Sequence, residues 1–315
     1  MKTSSFIASL LSAVLLAVAG QVQAVQQCLV IGDSLTKEYE VEFPILYPQN
    51  RDAWDSRNWI ETLHDIRHDW FDQGSFSAYY DVRITGHKHN WAFPGATSTE
   101  IRSALSSSSF FNKQWQSTLK SQIKSEVERV VIFVGGNDVD DYYGKIYNGS
   151  AAAQYTNRTR DNVMWIVDFV RAQRSSLPIV LVSIPHLGCA PDVARNNPYN
   201  TLKTGRVTTA LDALNKQLAA LAKTRGIGFA TGVYDLTKSL ITQKLIIGTV
   251  EINKGADANA RPNYAFSGDG FHPNTSLQAK VAQNILDTFR TKWATPKIPA
   301  LTDAEILSKV LKLKP

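Results

Sequence analysis

Short runs of β-branched and aliphatic residues constrain the fold of this chain more than any other feature of its sequence. The clearest are Cys28 to Ile31, Val130 to Val134 and Ile179 to Ile184. Such runs, without regular alternation of polar residues, are typical of parallel strands that are buried on both faces. Tyr80 to Thr85 and Gly228 to Thr231 are weaker candidates for strands of the same sheet.

Helical patterns lie between these runs. Apolar residues recur at helical spacing over Thr99 to Leu105, Gln114 to Val127, Ala151 to Arg174, Leu202 to Thr224 and Leu277 to Phe289. Strands that alternate with helices predict an α/β fold in which helices cover both faces of one sheet. Because the chain shows neither an internal repeat nor a linker rich in Pro, Gly or Ser, a single domain over 25–295 is the simplest interpretation.

Three segments do not fit this alternation. Glu38 to Tyr79 is a long polar insertion rich in tryptophan, and Thr249 to Ser267 has the Gly, Asn and Pro content of a loop. Long excursions in α/β enzymes often shape the substrate site, although the tryptophans also suit packing of the insertion against the body. The tail 296–315 is expected to be helical, with an amphipathic pattern from Leu301 to Leu313 that suits docking on the body or on a partner.

The first 24 residues have the pattern of a secretory signal peptide. Lys2 provides a positive start, Phe6 to Ala19 is uncharged and mostly apolar, and Val22-Gln23-Ala24 resembles a cleavage site. The apolar stretch is too short for a comfortable membrane span, which argues against the alternative of an uncleaved anchor. Cleavage after Ala24 would give a secreted or periplasmic protein, and no later stretch of the sequence is long and apolar enough to cross a bilayer.

Charge and cysteine content narrow the range of partners. The formal net charge is +6 and the pI is about 9.2, but the basic residues are scattered and form no arm of the kind that binds nucleic acid. The strand pattern places the two cysteines, Cys28 and Cys189, at opposite ends of a parallel sheet. Five strand residues span roughly 16 Å, which is beyond the reach of a disulfide, so two free thiols are expected.

Ser34 is the first candidate for chemistry. It stands in Gly32-Asp33-Ser34-Leu35, directly after the first apolar run. Reactive groups of parallel α/β sheets gather at the carboxyl ends of the strands, so a serine at this point is expected to project into the crevice. The simpler interpretation of the same residues is a serine that caps a helix.

A serine hydroxyl needs a base at neutral pH. Among the six histidines, His272 has a carboxylate at a fixed short spacing, in Asp269-Gly270-Phe271-His272-Pro273. A gap of three residues on a turn can bring Asp269 against the imidazole, where the carboxylate holds one tautomer and stabilises the imidazolium. In isolation, such a pair is more simply interpreted as part of a surface loop.

A tetrahedral intermediate also requires hydrogen-bond donors aimed at its oxyanion. Asn137 follows the run Val130 to Val134, so its amide is expected at the carboxyl end of a strand. Gly95, in the segment Asn90 to Ala96, offers a backbone N–H with no side chain in the way. A turn asparagine and a turn glycine are the simpler interpretations.

Together these residues resemble the SGNH hydrolases, also called GDSL esterases and lipases. The blocks that carry the resemblance stand in the order of that family: Gly32-Asp33-Ser34-Leu35, Gly95, Gly136-Asn137-Asp138 and Asp269-x-x-His272. Asn90 to Ala96 and Pro185 to Cys189 are similar to its lipase-like branch. The blocks run from residue 28 to residue 274, so the resemblance covers most of the chain after residue 24.

The resemblance implies both a fold and residue roles. The fold is a three-layer α/β/α sandwich with a central, mostly parallel, flavodoxin-like sheet. Ser34 would be the nucleophile and would contribute its N–H to an oxyanion hole that Gly95 and Asn137 complete. His272 would be the base and Asp269 its orienting partner. The resemblance implies no metal and no organic cofactor, and it leaves the oligomeric state open.

The implied function is hydrolysis of carboxylic esters of a small molecule or a lipid through an acyl-enzyme. A lipase or phospholipase, a choline-ester hydrolase and a carbohydrate O-acetylesterase are alternatives. A non-catalytic secreted binding protein on the same fold is the alternative from another class. A choline ester would suit a cleft rim of carboxylates and aromatic faces formed by Asp138, Asp140, Asp141, Tyr142 and Tyr143, for which a solvated acidic loop is the simpler interpretation.

Other enzyme classes fit the sequence less well. The α/β-hydrolase fold requires a G-x-S-x-G motif, which the sequence lacks. His64 and His68 have the spacing of a zinc-protease helix, but Asp65 stands where that motif needs Glu and no third ligand is evident from the sequence. His87 and His89 would share one face of a strand, without a nearby carboxylate. Neither a P-loop nor a complete dinucleotide-binding motif is present.

Overall fold

A parallel five-stranded sheet forms the centre of the protein. The computed structural model describes residues 24–39, 41, 56–79, 81–259, 261–294 and 297–314. The strands in these ranges are β1 (Cys28–Gly32), β2 (Phe76–Ala78), β3 (Thr85–His87), β4 (Asn90–Ala92), β5 (Arg129–Phe133), β6 (Ile179–Val182), β7 (Gly228–Ala230), β8 (Leu245–Ile247), β9 (Val250–Asp257) and β10 (Tyr264–Ser267). The central sheet has the order β4-β1-β5-β6-β7, and every neighbouring pair in it is parallel.

Helices cover both sides of this sheet, which confirms the predicted three-layer α/β/α fold. They are α1 (Trp59–Ile66), α2 (His68–Phe71), α3 (Ser98–Ser106), α4 (Phe110–Ser125), α5 (Gly136–Tyr147), α6 (Ala153–Gln173), α7 (Pro191–Asn196), α8 (Thr201–Thr224), α9 (Gly232–Ser239), α10 (Thr275–Lys292) and α11 (Asp303–Glu305). The five helices expected from apolar periodicity are α3, α4, α6, α8 and α10, and each begins and ends within four residues of its predicted limits. The buried faces of α6 and α8 are the stripes that the sequence pattern identified.

The strand order brings three carboxyl ends together. The chain passes from β1 to the edge strand β4 and then crosses to the other side of β1 to form β5. In this register Gly32 lies level with Ala92 of β4 and with Phe133 of β5. The segments that follow β4, β1 and β5 therefore leave the sheet side by side, at the point where the direction of winding reverses. In open α/β sheets this is the position at which ligands bind.

Two predictions of local structure are wrong. Residues 81–84 of the candidate strand Tyr80 to Thr85 form a turn between β2 and β3, in which Asp81 Oδ1 accepts a hydrogen bond from Arg83 N at 2.9 Å and Ile84 has a φ of 58°, and only Thr85 belongs to a strand, β3. The predicted loop Thr249 to Ser267 contains β9 and β10, which form a small sheet with β8. Most residues of β9 are not buried, so its polar composition is compatible with a strand.

The described part of the insertion, 56–79, packs closely on the body. Asn58 begins α1 with a capping box, in which its side chain accepts from Glu61 N at 3.0 Å and the Glu61 carboxylate accepts from Asn58 N at 2.8 Å. The buried indole of Trp59 donates to Thr36 Oγ1 at 3.2 Å. This supports the packing interpretation for Trp59, whereas Trp54 lies outside the described residues.

The tail docks on the insertion and on α10 of the body, where Gln283 Nε2 donates to Leu301 O at 2.7 Å. Arg67 Nε donates to Pro299 O at 3.0 Å, and its guanidinium pairs with Glu305 at 2.7 Å. Leu301, Ile306 and Leu307 are buried. The helical part of the tail is short, because α11 continues only as a π-helical turn over Ile306–Val310. Of the two docking modes that the sequence left open, the structure therefore contains the contact with the body.

Among the described residues, no helix is both long enough and apolar enough to cross a bilayer. Cys28 and Cys189 are free thiols, as predicted. Most of the expected signal peptide, residues 1–23, lies outside the described residues.

We predict that Gly32→Ala destabilises the protein by about 1–3 kcal/mol or more, because a buried side chain cannot make room for the new methyl group. A Cβ at Gly32 would lie 2.3 Å from Thr36 Oγ1 and 2.5 Å from Thr36 Cβ, and Thr36 has no exposed surface. Gly205→Ala in α8 is the control, since a Cβ there meets nothing within 4 Å and should stabilise the helix by about 0.5–1 kcal/mol. Denaturant unfolding measures both changes, and equal effects of the two substitutions would contradict the prediction.

Candidate active site

Ser34 lies in a tight turn at the carboxyl end of β1. Thr36 N and Lys37 N both donate to Asp33 O, at 3.0 and 3.1 Å, and Leu35 N donates to Asp33 Oδ1 at 3.0 Å. Asp33 therefore closes the turn through both its backbone and its side chain. The turn lifts Ser34 out of the strand at the point where the winding direction reverses, and its exposed fraction is only 2%.

The structure brings Asp269, His272 and Ser34 into one hydrogen-bonded chain. His272 Nδ1 lies 2.7 Å from Asp269 Oδ2, and His272 Nε2 lies 2.9 Å from Ser34 Oγ. If Nδ1 carries the proton and donates it to Asp269, the Nε2 lone pair faces the serine hydroxyl and can accept its proton. Ser34 and His272 are separated by 238 residues in the sequence, so only the tertiary fold makes this contact.

The loop that carries Asp269 and His272 is internally hydrogen-bonded. Asp269 Oδ1 accepts from Phe271 N at 2.8 Å and from His272 N at 2.9 Å. Gly270 between them has a φ of 72°, a conformation that favours glycine. Burial alone would raise the pKa of Asp269, but the hydrogen bond and charge of His272, with the two backbone N–H groups, hold the pKa below its ordinary value. Asp269 is therefore ionised at neutral pH.

Two polar side chains that the sequence analysis did not identify connect the serine turn to the histidine loop. Tyr39 OH donates to Pro273 O at 2.9 Å. Gln278 Nε2 donates to Leu35 O at 3.3 Å and to Tyr39 OH at 2.5 Å. Gln278 lies on the buried face of α10, one residue after Leu277, so an amide on an apolar helix face was the available signal.

Gly95 and Asn137 follow the two strands that flank β1. Gly95 lies in a turn with a φ of 73°, is exposed, and has nothing within 4 Å of the position that a Cβ would take. Asn137 is the second residue of α5, and its Nδ2 donates to Ala96 O at 3.0 Å. That bond uses one of the two amide hydrogens. It joins the segments of Gly95 and Asn137 directly, next to the serine turn.

Asp138 anchors the loop that follows Gly95. Its carboxylate accepts from Ser98 N and Ser98 Oγ, both at 2.6 Å, and from Thr159 Oγ1 at 3.1 Å. Asp138, Tyr142 and Tyr143 are all buried. Of the predicted rim only Asp140 and Asp141 are exposed, so the two aromatic faces that would bind a choline group are missing from it and the choline-ester hypothesis loses its support.

A small apolar cavity adjoins the hydrogen-bonded chain. Its volume is about 30 Å³, and its walls include Leu35, Phe271 and Pro273, the immediate neighbours of Ser34 and His272. His186, from the segment Pro185 to Cys189, also lines it. Burial lowers the pKa of His186 to about 4, so this imidazole is neutral at pH 7 and suits an apolar wall.

The chain also matches a known protein family over most of its length. The model of GDSL-like lipases and acylhydrolases matches residues 29–285, which is most of the chain. The chain belongs to the GDSL-like lipase/acylhydrolase family. This confirms the resemblance inferred from the sequence blocks, and it makes the protein a carboxylic-ester hydrolase. No curated protein sequence matches the chain.

Several solved structures are similar to this GDSL-like hydrolase at low sequence identity. The lipase Lip_vut3 from a goat rumen metagenome is 13% identical, with a TM-score of 0.49 over 85% of this chain and 97% of that one. The extracellular lipase of Streptomyces rimosus is 13% identical, with a TM-score of 0.43 over 82% and 99%. A family 3 carbohydrate esterase of Clostridium thermocellum is 12% identical, with a TM-score of 0.42 over 84% and 96%.

We predict that Asp33→Asn changes how the stability of this hydrolase depends on pH. Burial raises the pKa of Asp33 to about 7, from about 4 in the unfolded chain. The folded state therefore binds an extra proton between these values, and the associated stability is lost as the pH rises through about 7. Asparagine carries no such proton, so the variant should gain about 2–3 kcal/mol relative to wild type between pH 5 and pH 8.

Denaturant unfolding of both proteins at pH 5 and pH 8 measures this gain. The control is Asp141→Asn, which removes an exposed carboxylate of α5 and should leave the pH dependence unchanged. A difference between Asp33→Asn and wild type that is the same at both pH values would contradict the prediction.

Proposed function

We propose that Ser34 is the nucleophile of this hydrolase, His272 its general base and Asp269 the group that orients the base. The observation that carries the proposal is the continuous chain of contacts, 2.7 Å from Asp269 to His272 and 2.9 Å from His272 to Ser34. Both distances are within hydrogen-bond reach, which is the geometry that general-base activation of a serine requires.

The reaction would proceed through an acyl-enzyme. Ser34 Oγ attacks the ester carbonyl carbon while His272 Nε2 takes the hydroxyl proton, and the C=O electrons move onto the oxygen. The intermediate collapses as His272 returns the proton to the departing alcohol. Water then attacks the acyl group, again giving its proton to His272, and Ser34 leaves with that proton as the carboxylic acid is released. Asp269 stabilises the imidazolium in both halves of the reaction.

The oxyanion would be held by the N–H groups of Ser34 and Gly95 and by the Asn137 amide. Supporting this assignment, Gly95 and Asn137 follow strands β4 and β5 on either side of β1, and Asn137 donates to Ala96 O beside Gly95. Donors fixed in this way need no reorganisation when negative charge develops, which is the basis of oxyanion-hole stabilisation.

For the substrate, we propose an ester with a short acyl chain. The cavity beside Leu35 and Phe271 has a volume of about 30 Å³, far below the roughly 300–1,000 Å³ of pockets that hold larger ligands. Such a cavity accepts a methyl group, as in an acetyl ester, but not an extended chain.

A lipase or phospholipase is the second candidate, and a different observation favours it. Ile84, Phe110 and Phe111 are 73–80% exposed. Ile84 and Phe111 line an open groove of about 610 Å³ together with Trp115, whose ring centroid lies 5.8 Å from that of Phe93 in the Gly95 segment. Exposed apolar residues close to the cleft suit contact with a lipid surface.

We propose that the protein is secreted or periplasmic and that cleavage after Ala24 leaves the hydrolase domain 25–295 with its tail 296–315. The charged start, apolar stretch and cleavage-site pattern of residues 1–24 support this. Amino-terminal sequencing of the exported protein should begin at Val25.

We predict that Ser34→Ala lowers kcat by a factor of about 10⁴–10⁶ and that Asp269→Asn lowers it by about 10⁴, with both variants folded. Steady-state hydrolysis of p-nitrophenyl acetate measures these losses, and a fluorophosphonate probe should label wild type but not Ser34→Ala. Ser106→Ala, which removes an exposed hydroxyl of α3, is the control and should retain full activity and labelling. Undiminished hydrolysis by Ser34→Ala would refute the assignment.

We predict that kcat/KM falls steeply from p-nitrophenyl acetate to the octanoate ester, because the cavity excludes longer chains. Leu187 lines the cavity, so Leu187→Ala enlarges it and should shift the acyl-chain preference towards the butyrate ester. Leu105→Ala is a control in which a buried leucine is truncated in α3, away from the cavity. A preference for octanoate or for phospholipid vesicles, lost on Phe111→Ser, would instead favour the lipase.

A further inference from the structure

Two histidines and one aspartate of the insertion come together with His87 of β3, at a place that the proposed ester hydrolysis does not use. His64 is on α1, His68 begins α2, Asp72 directly follows α2, and His87 ends β3. The ring centroid of His64 lies 4.8 Å from that of His68 and 4.8 Å from that of His87. The His64 ring therefore contacts two other imidazole rings, next to the carboxylate of Asp72.

Three of these side chains have atoms close enough together to bind one metal ion. One nitrogen of His64, one nitrogen of His68 and one carboxylate oxygen of Asp72 all lie within 4.8 Å of one another. The closest measured pair, His64 Nδ1 and Asp72 Oδ1, is 3.7 Å apart. Two ligands at about 2.0–2.1 Å from a tetrahedral zinc ion would be about 3.3 Å apart, so a small side-chain movement suffices.

The surrounding hydrogen bonds orient these groups as they are oriented in metal sites. Gly74 N donates to Asp72 Oδ1 at 3.0 Å, and the side chain of Gln27 donates to Asp72 Oδ2. Gly74 O lies 2.8 Å from His87 Nδ1 and is an acceptor, so Nδ1 donates this hydrogen bond. Ligating carboxylates and histidines are commonly held by such second interactions.

This arrangement requires glycine at position 74. Its φ is 75°, and a Cβ there would lie 3.0 Å from Lys88 Cβ and 3.2 Å from His89 Nδ1. Only glycine fits between the cluster and the side chains of Lys88 and His89 while presenting its N–H to Asp72 and its carbonyl to His87.

The cluster is also accessible. The side chain of His64 is 20% exposed and that of Asp72 is 15% exposed, and His68 is exposed. An ion can therefore enter from solvent, while the partial burial of His64 and Asp72 limits competition from water.

We propose that His64, His68 and Asp72 bind one divalent first-row transition-metal ion, for which zinc is the reference ion. Two imidazoles and a carboxylate are the donor set that zinc shares with neighbouring metals of the series. His64 binds through Nδ1, which faces Asp72, and the ion replaces the long 3.3 Å hydrogen bond from Gln73 N to that atom.

The ion has a structural role in this proposal. The backbone of Asp72 is hydrogen-bonded to the start of β1, with Cys28 N donating to Asp72 O at 2.7 Å. A metal bound to Asp72 and to both histidines therefore fastens α1 and α2 to the start of β1 in the central sheet. The binding is independent of the esterase mechanism, since it involves neither Ser34 nor His272.

The test is zinc binding by the full chain, purified without a histidine tag and freed of metal by a chelator. Isothermal titration with Zn²⁺ should give one ion per chain for wild type. His68→Ala and Asp72→Asn should weaken this binding at least tenfold. Asp69→Asn, which removes an exposed carboxylate from the same short helix, is the matched control and should bind zinc as wild type does.

A second measurement separates metal binding from loss of folding. At a zinc concentration of 100 times Kd, Tm should rise by about 4 °C in wild type and in Asp69→Asn, and should not rise in His68→Ala. Because His68 is exposed, the metal-free His68→Ala protein should keep the Tm of metal-free wild type. The proposal is wrong if wild type binds no zinc, or if His68→Ala and Asp72→Asn bind it with unchanged affinity and stoichiometry.

Discussion

The parallel pairing of β1 between β4 and β5 is the constraint on which the rest of this structure depends. Each of these strands ends at the same edge of the sheet, and each is followed by a tight segment that carries a polar group. Ser34, Gly95 and Asn137 are thereby brought close together without any of them being near another in sequence. Parallel strands need crossover connections, so these three segments are far apart in the chain. The loop that carries His272 comes from a fourth segment, directly before α10, the last long helix.

Bringing these groups together buries polar atoms, and the buried hydrogen bonds compensate for the loss of water. Asp138 accepts three hydrogen bonds in order to hold the loop after Gly95, and Gln278 spans the gap between the serine turn and Tyr39. Hydrogen bonds compensate less completely for the burial of the Asp33 carboxylate. Its raised pKa reflects the free energy required to ionise a buried carboxyl group. The turn that carries Ser34 therefore keeps its geometry at a cost in folding stability.

Much of the architecture and of the candidate site could be predicted because it depends on local patterns. Apolar periodicity identified the principal strands and long helices, since burial on one or both faces leaves a direct record in the residue order. The pair Asp269 and His272 could be identified because one short turn holds both residues. The turn 81–84 was predicted as a strand because its apolar residues Val82 and Ile84 alternate with polar ones, and β9 was not predicted because a largely exposed strand lacks a distinct apolar pattern.

The sequence by itself determined the fold class and the family and supplied the candidate residues for ester hydrolysis, because each depends on a motif or a periodicity within one segment. Only the tertiary structure decided which distant side chains meet. It placed His272 against Ser34, buried Asp138 and its neighbouring tyrosines below the cleft, and added Asp72 and His87 to the pair His64 and His68. The physical reason is that such contacts depend on strand order and helix packing. These bring together segments that are far apart in the chain, and the sequence of one segment does not indicate which other segment it will contact.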